Sequence, residues 1–242
     1  NLTPMSAEFG KPQWGLGSST YAIESTNRII CSYTQKGIWY LASLDVNTKK
    51  LDTFDLPYTE FSGIKATPGK VLFKVGQPTQ TSELVQLDLN TKKIEVLQRS
   101  SNIEIDDGYL SQVQPIEFPT SNGKTAYGLF YPPQNKDFTA PEDEKPPLLV
   151  KSHGGPTAAT SSSLSYRIQY WTSRGIAVLD VNYGGSTGYG REYRQRLDGT
   201  WGIVDVDDCA NGAKYLVEQG LVDGDRLAIS GGSAGGYTTL CA

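Results

Sequence analysis

Ser233 stands in Gly231-Gly232-Ser233-Ala234-Gly235, flanked by glycine two residues away on either side. A serine oxygen can attack a carbonyl when a tight, strained strand-to-helix turn holds it clear of the backbone around it. Such a turn has no room for side chains beside the serine, and glycines at 231 and 235 remove them. G-x-S-x-G alone is a weak signal, but here the context is right. The apolar stretch "RLAIS" (226–230) comes directly before it, and "YTTLCA" (237–242) can begin a helix after it. A glycine-rich phosphate turn is the competing reading, and neither GxGxxG nor GxxxxGK is present.

A tetrahedral intermediate needs two N–H groups aimed at one oxygen. "KSHGGPT" (151–157) follows another apolar stretch, where a hydrolase of this kind places its second donor. The backbone N–H groups of Gly155 and Ala234 are therefore the candidate oxyanion hole. His153 is the only histidine in the chain. It precedes the serine and sits within the glycine loop, so a role in shaping that loop is expected rather than one as base. Asp180 falls inside an apolar strand, and Asp207 or Asp208 reads as a helix-start charge.

The elements that must position these residues alternate strand and helix from Leu148 onward. "LLVKSH" (148–153), "IAVLDVN" (176–182) and "RLAIS" read as buried strands. "LSYRIQYWTSRG" (164–175) and "DVDDCANGAKYLVEQG" (205–220) read as helices stopped by Gly175 and Gly220. The second would bury residues 206, 209, 210, 213, 216 and 217. This alternation predicts a parallel sheet covered on both faces. Just before it, "PIEFPTSNGKTAYGLFYPP" predicts a hairpin turning at Ser121-Asn122-Gly123, followed by a polar, proline-rich loop.

The first part of the chain is different. "LDVNTKKLDTF" (44–54) and "LDLNTKKIEVL" (87–97) match at an offset of 43 residues, as do "NRIICSY" (27–33) and "KVLFKVG" (70–76). Each unit reads as strand, turn, strand, an Asn-Thr-Lys-Lys turn and a third strand. A period of about 40–45 residues in short strands is that of propeller blades, and about two are visible. The fold expected is thus a partial β-propeller over residues 1–110. The first half of an α/β-hydrolase domain follows over residues 111–242.

Composition narrows the partners. A net charge of −4 argues against nucleic acid, which demands a clustered positive surface. No apolar run reaches the roughly 18 residues of a membrane span. Cys31, Cys209 and Cys241 are odd in number and widely spaced, which suits free thiols in the cytoplasm or another reducing compartment.

Four stretches taken in order carry a family resemblance: "KPPLLVKSHGGPT", "VNYGGSTGYGREY", "GTWGIVDVDD" and "ISGGSAGGY". Together with the preceding repeat and "EFGKPQWGLG" near the start, they resemble the prolyl oligopeptidase family of serine peptidases. The His-Gly-Gly-Pro form is similar to its acylaminoacyl-peptidase and dipeptidyl-peptidase-like branch. The resemblance implies a serine peptidase that cuts short peptides through an acyl-enzyme on Ser233, with the propeller limiting entry by size. It implies no cofactor and no metal, and it leaves homo-oligomer assembly through the hydrolase domain open. Gly184 departs from the pattern, since members commonly carry arginine there.

Hydrolases of this fold supply Ser, then Asp or Glu, then His, and neither partner follows Ser233 here. The sequence is accordingly read as an excerpt, competent only with a further Asp and His. Two other readings compete: a carboxylesterase-type hydrolase, disfavoured by the repeat, and a non-catalytic propeller protein with a degenerate hydrolase lobe, disfavoured by the intact serine turn.

Overall fold

The computed structural model describes residues 2–12 and 14–242; Asn1, and Gln13 within "EFGKPQWGLG", lie outside the described residues. The chain forms two compact units. One holds the described residues up to Ile103 together with Ser161–Leu164 and Gly188–Gly190, and the other holds the rest.

The first unit contains two four-stranded antiparallel sheets with strands in chain order. They are β1 (Tyr21–Ser25), β2 (Arg28–Gln35), β3 (Ile38–Asp45) and β4 (Leu51–Thr53), then β5 (Glu60–Thr67), β6 (Lys70–Gly76), β7 (Glu83–Asp88) and β8 (Ile94–Arg99). Neither sheet closes on itself. Each has one strand more than the sequence pattern suggested, because β1 and β5 lie ahead of the stretches that repeat clearly. Inward residues of both sheets meet in one core that includes Ile30, Leu41, Phe61, Phe73, Val85 and Leu87.

The two Asn-Thr-Lys-Lys turns share the same aspartate-to-backbone bonds. Asp45 Oδ1 accepts N–H bonds from Asn47 and Thr48 at 3.0 and 2.7 Å. Asp88 Oδ1 accepts them from Asn90 and Thr91 at 2.9 and 2.8 Å. An aspartate that binds the backbone two and three residues on closes such a turn by itself. The turn then carries Lys49 and Lys92 through positive φ, at 58° and 61°.

The second unit is built on one five-stranded sheet. Its elements are β9 (Gln114–Thr120), β10 (Lys124–Tyr131), β11 (Leu148–Ser152), α1 (Tyr166–Thr172), β12 (Ala177–Asn182), α2 (Arg191–Gln195), α3 (Val204–Glu218), β13 (Leu227–Gly231) and α4 (Ala234–Cys241). Strand order is β13-β11-β12-β10-β9. β11 runs parallel to β12 and to β13, whereas β10 is antiparallel to β12 and to β9. The sheet is therefore mixed and not wholly parallel as expected. The hairpin turning at Ser121–Gly123 joins it and adds two antiparallel strands.

β12 is buried along its whole length. Alternate residues of a strand point to opposite faces, and here the two sets pack under different helices. Ala177, Leu179 and Val181 pack with Cys209, Ala213 and Leu216 of α3. Val178 packs with Leu129, Tyr131 and Ile168 of α1 on the other face. Both faces are covered, as the continuous apolar strands required. α1 is shorter than the stretch predicted for it, and the expected stops Gly175 and Gly220 do adopt positive φ.

The buried side of α3 shares Cys209, Ala213 and Leu216 with the one read from apolar spacing, but is rotated to take in polar and small residues in place of 206, 210 and 217. It consists of Asp205, Asp208, Cys209, Gly212, Ala213 and Leu216. Asp205 and Asp208 turn inward because each carboxylate finds donors there. Asp205 accepts from the Gly202 N–H at 2.7 Å and the Thr238 hydroxyl at 2.5 Å. Asp208 accepts from the Thr120 hydroxyl at 2.5 Å and the Gly184 N–H at 2.7 Å. The reading of Asp208 as a helix-start charge is thus corrected. Its burial raises the carboxyl above its ordinary value of 3.8, against the lowering effect of those two bonds. Gly212 lets α3 approach the sheet, since a Cβ there would stand 2.8 Å from Leu179 Cδ2 and 2.9 Å from Phe118 Cζ.

Among the described residues no helix is long and apolar enough to cross a membrane.

Two outcomes follow from α3. Gly212→Val should overpack the contact with Leu179 and Phe118 and cost about 1–3 kcal/mol, read as a lower urea midpoint at unchanged slope. Asp208 binds its proton more tightly folded than unfolded, so its contribution falls as pH rises above 3.8. The stability difference between wild type and Asp208→Asn should therefore shift in favour of the variant as pH rises from 4 toward the folded-state value of Asp208. Urea titrations of both proteins across that range check the sign.

Candidate active site

Ser233 lies between the end of β13 and the start of α4 and is exposed. Its backbone sits at φ 56°, ψ −123°, a region that a residue with a side chain occupies only under strain of about 1–3 kcal/mol. It holds the N-cap position of α4, yet its hydroxyl makes no capping bond. The oxygen is left for other chemistry.

The flanking glycines are where the backbone is tightest. A Cβ on Gly231 would lie 2.2 Å from the Gly235 carbonyl oxygen. A Cβ on Gly235 would lie 2.0 Å from the Ser152 carbonyl oxygen and 2.8 Å from that of His153. The turn packs on itself and on the end of β11, which brings the 153–156 loop alongside. A Cβ on Gly154 would be 3.3 Å from Ser233 Cβ and 3.8 Å from its Oγ. The structure therefore brings Ser233, Ala234 and the His-Gly-Gly loop together. Gly155 stands in that loop at φ 118°, a conformation glycine adopts readily.

Residues 182–187 strap this loop down. The Tyr183 hydroxyl is 2.9 Å from the carbonyl oxygens of His153 and Pro156, and its one proton serves both. Its ring stacks on the imidazole of His153, with centroids 4.3 Å apart and planes 16° apart. The Thr187 hydroxyl donates to the Thr157 carbonyl at 2.6 Å, and its N–H donates to the Ala158 carbonyl at 2.9 Å. The Thr160 N–H donates to Asn182 Oδ1 at 2.8 Å. Only the presence of "VNYGGST" after a strand could have hinted at this; the partners are set by the fold.

His153 is half-buried, and both of its ring nitrogens are engaged, Nδ1 with the Gly154 carbonyl at 2.8 Å and Nε2 with the Ser186 hydroxyl at 2.7 Å. Burial holds its pKa below the ordinary 6.5, so the imidazole is neutral at pH 7. It is not the hydrogen-bond partner of Ser233. Asp180 is buried and pairs with Lys151 at 2.8 Å across neighbouring strands. It holds β11 to β12 and takes no part at the serine.

Gly184 donates its N–H to Asp208, and a Cβ there would lie 3.0 Å from Val204 Cγ2 and 3.2 Å from Arg196. Arg196 itself stacks on Tyr193 and donates to the Thr125 carbonyl at 2.7 Å. Burial pushes the Cys31 thiol up to about 11 and that of Cys209 higher still, so neither is a reactive thiolate. Among the described residues no three His, Cys, Asp or Glu side chains are grouped to hold a metal ion. A cleft of about 1000 Å³ lined by Phe138, Pro141, Pro146, Arg174 and Arg226 opens near the start of β11. It includes neither Ser233 nor Gly155.

Residues 162–242 match the model of the prolyl oligopeptidase family. Dipeptidyl aminopeptidase BIII of Pseudoxanthomonas mexicana is 36% identical over 128 residues, covering 52% of this chain and 19% of that protein. The acylamino-acid-releasing enzyme of Arabidopsis thaliana is 40% identical over 93 residues, covering 38% and 12%. Among solved structures, a puromycin-hydrolyzing peptidase of Mycobacterium tuberculosis superposes with a TM-score of 0.95 at 40% identity. That match covers 99% of this chain and 37% of the other. A puromycin hydrolase gives 0.94 at 38% identity, covering 100% and 36%. The chain thus spans little more than a third of these structures and less of the curated relatives. The strained serine turn, the glycine loop against it and these matches agree: residues 162–242 carry the sequence pattern of the prolyl oligopeptidase family, and the chain as a whole is similar to its serine peptidases.

Proposed function

We propose that the protein hydrolyses short peptides and related aminoacyl amides, with Ser233 as nucleophile and the N–H groups of Gly155 and Ala234 as oxyanion donors. The observation that carries this is the serine itself: exposed, at positive φ, its hydroxyl making no capping bond, and set against the His-Gly-Gly loop. Ser233 Oγ adds to the substrate carbonyl carbon as its proton passes to a base. The carbonyl oxygen becomes the anion that the two N–H groups receive. Collapse expels the amine, which takes up the proton, and leaves an ester on Ser233 that water cleaves. The amino terminus of α4 adds a favourable field for the developing anion.

The base must be a group other than His153, whose nitrogens are both occupied. Since the chain spans little more than a third of the similar structures, the full-length protein is the one to assay. Within the same reading, the two four-stranded sheets are blades of a propeller over residues 1–110, and residues 111–242 are the first part of an α/β-hydrolase domain. The 43-residue repeat and the matching turns support the first assignment. The sheet order and serine turn support the second. The propeller would screen substrates by size. The net charge of −4 speaks against a nucleic-acid partner, and unpaired cysteines suit a reducing compartment.

Puromycin, named for two of the similar structures, is the first amide to try, beside short peptides with free and acylated amino termini. A fluorophosphonate should label the full-length protein at Ser233. Ser233→Ala should abolish labelling and lower kcat by about 10⁴-fold or more. If Ser233 in folded full-length protein takes no label, the peptidase reading is wrong and a binding protein takes its place.

A further inference from the structure

We propose that Asp205 and Thr238 are positioning residues that fix the first turn of α4, and with it Ser233 and the Ala234 N–H. The inference rests on the reading of Ser233 as nucleophile and of Ala234 as an oxyanion donor.

An oxyanion hole needs its two donors to converge on one point, and the two here hang from different elements. Gly155 follows β11, whereas Ala234 opens α4. The end of β11 meets α4 at Gly235, where a Cβ would stand 2.0 Å from the Ser152 oxygen. That contact is steric: it stops α4 from coming closer and does nothing to stop it from swinging away. Of the α4 residues, Ala234, Gly235 and Thr238 are buried, and Thr238 alone of these has a side chain that can form a hydrogen bond. A directed tie on the buried side of the helix therefore comes through Thr238.

Asp205 supplies that tie from α3. Both residues are fully buried, and the Thr238 hydroxyl lies 2.5 Å from Asp205 Oδ2 and 3.2 Å from the Ala234 carbonyl oxygen. It has one proton, and the nearer oxygen, that of a carboxylate, takes it. The choice matters, because a threonine that bonds the carbonyl four residues back tends to bend its helix. Asp205 thus draws the hydroxyl away from the turn that carries the oxyanion donor. The carboxylate is itself held, since its other oxygen accepts the Gly202 N–H at 2.7 Å. Gly202 turns at φ 85° so near α4 that a Cβ there would stand 3.0 Å from the Tyr237 ring. Trp201 meets the same ring edge-on, with centroids 5.2 Å apart. The first turn of α4 is thereby held from two sides, by β11 at Gly235 and by α3 at Thr238. Neither Asp205 nor Thr238 reaches the surface, so both act through α4 and not on substrate.

The test is made in full-length protein with an amide substrate. Melting temperatures are measured first, and kcat and KM are then read well below the lowest of them. Thr238→Val keeps the shape and removes the hydroxyl, whereas Thr238→Ser keeps the hydroxyl. Thr238→Val and Asp205→Ala should each lower kcat about 10- to 100-fold at nearly unchanged KM, while Thr238→Ser stays within about threefold of wild type. Combining Asp205→Ala with Thr238→Val should cost no more than about threefold beyond the worse single variant, since both cut one tie. A role confined to stability predicts a lower melting temperature with wild-type kcat in the folded protein. That result, equal losses for Thr238→Ser and Thr238→Val, or losses that multiply in the double variant, overturns the inference. Should Asp205→Ala not fold, Thr238→Val against Thr238→Ser decides alone. A Thr238→Val protein that does not fold also overturns it, the tie then being a requirement of the fold. An active wild type silenced by Ser233→Ala separates these results from failure of the peptidase reading. A wild type without activity or label overturns both.

Discussion

The site depends on a backbone approach with no room for one carbon atom. At Gly235 the turn after β13 comes so near the end of β11 that a Cβ would stand 2.0 Å from the Ser152 oxygen. That closeness places the 153–156 loop beside Ser233, and the parallel pairing of β11 with β13 sets it up. Everything chemically distinctive sits where these two neighbouring parallel strands end side by side. The strain at Ser233 is tolerated because the sheet over-determines the turn.

The rest of the second unit serves that register. β12 divides its side chains between α1 and α3, so the sheet is gripped from both faces and cannot slip by one residue without inverting them. Polar ties then complete what apolar packing leaves loose. Lys151 and Asp180 link β11 to β12, and Asp205 joins the Gly202 turn to Thr238 of α4. The strap at 182–187 emerges from β12 and returns over the loop, carrying the order of the sheet to the glycines.

Much of this was legible in the residues. Strands and helices from Leu148 onward fell close to the predicted positions because continuous apolar runs and amphipathic stretches are strong local signals. The serine turn was legible because its glycines have a steric purpose that few other residues meet. Four features were not. The antiparallel hairpin joined the main sheet, a pairing that no local pattern encodes. α3 turned two aspartates inward because donors from distant segments were waiting for them, which apolar spacing cannot show. The partners of His153 depend on Ser186, 33 residues away. The repeat in the first unit announced its turns clearly, while its first strands, β1 and β5, had diverged too far to be seen.

Asp208 has a further consequence, for the order in which the unit assembles. Its carboxylate joins Thr120, 88 residues earlier, to the Gly184 backbone, 24 residues earlier. The β9–β10 hairpin can form from neighbours alone, but this knot requires the hairpin, β12 and α3 to be already docked. Contacts of such wide separation carry a heavy chain-closure cost and belong late on the pathway. Interactions made after the barrier govern how fast a protein comes apart more than how fast it forms. The buried carboxylate is thus placed as a latch on the folded state, slowing its escape without having guided its formation.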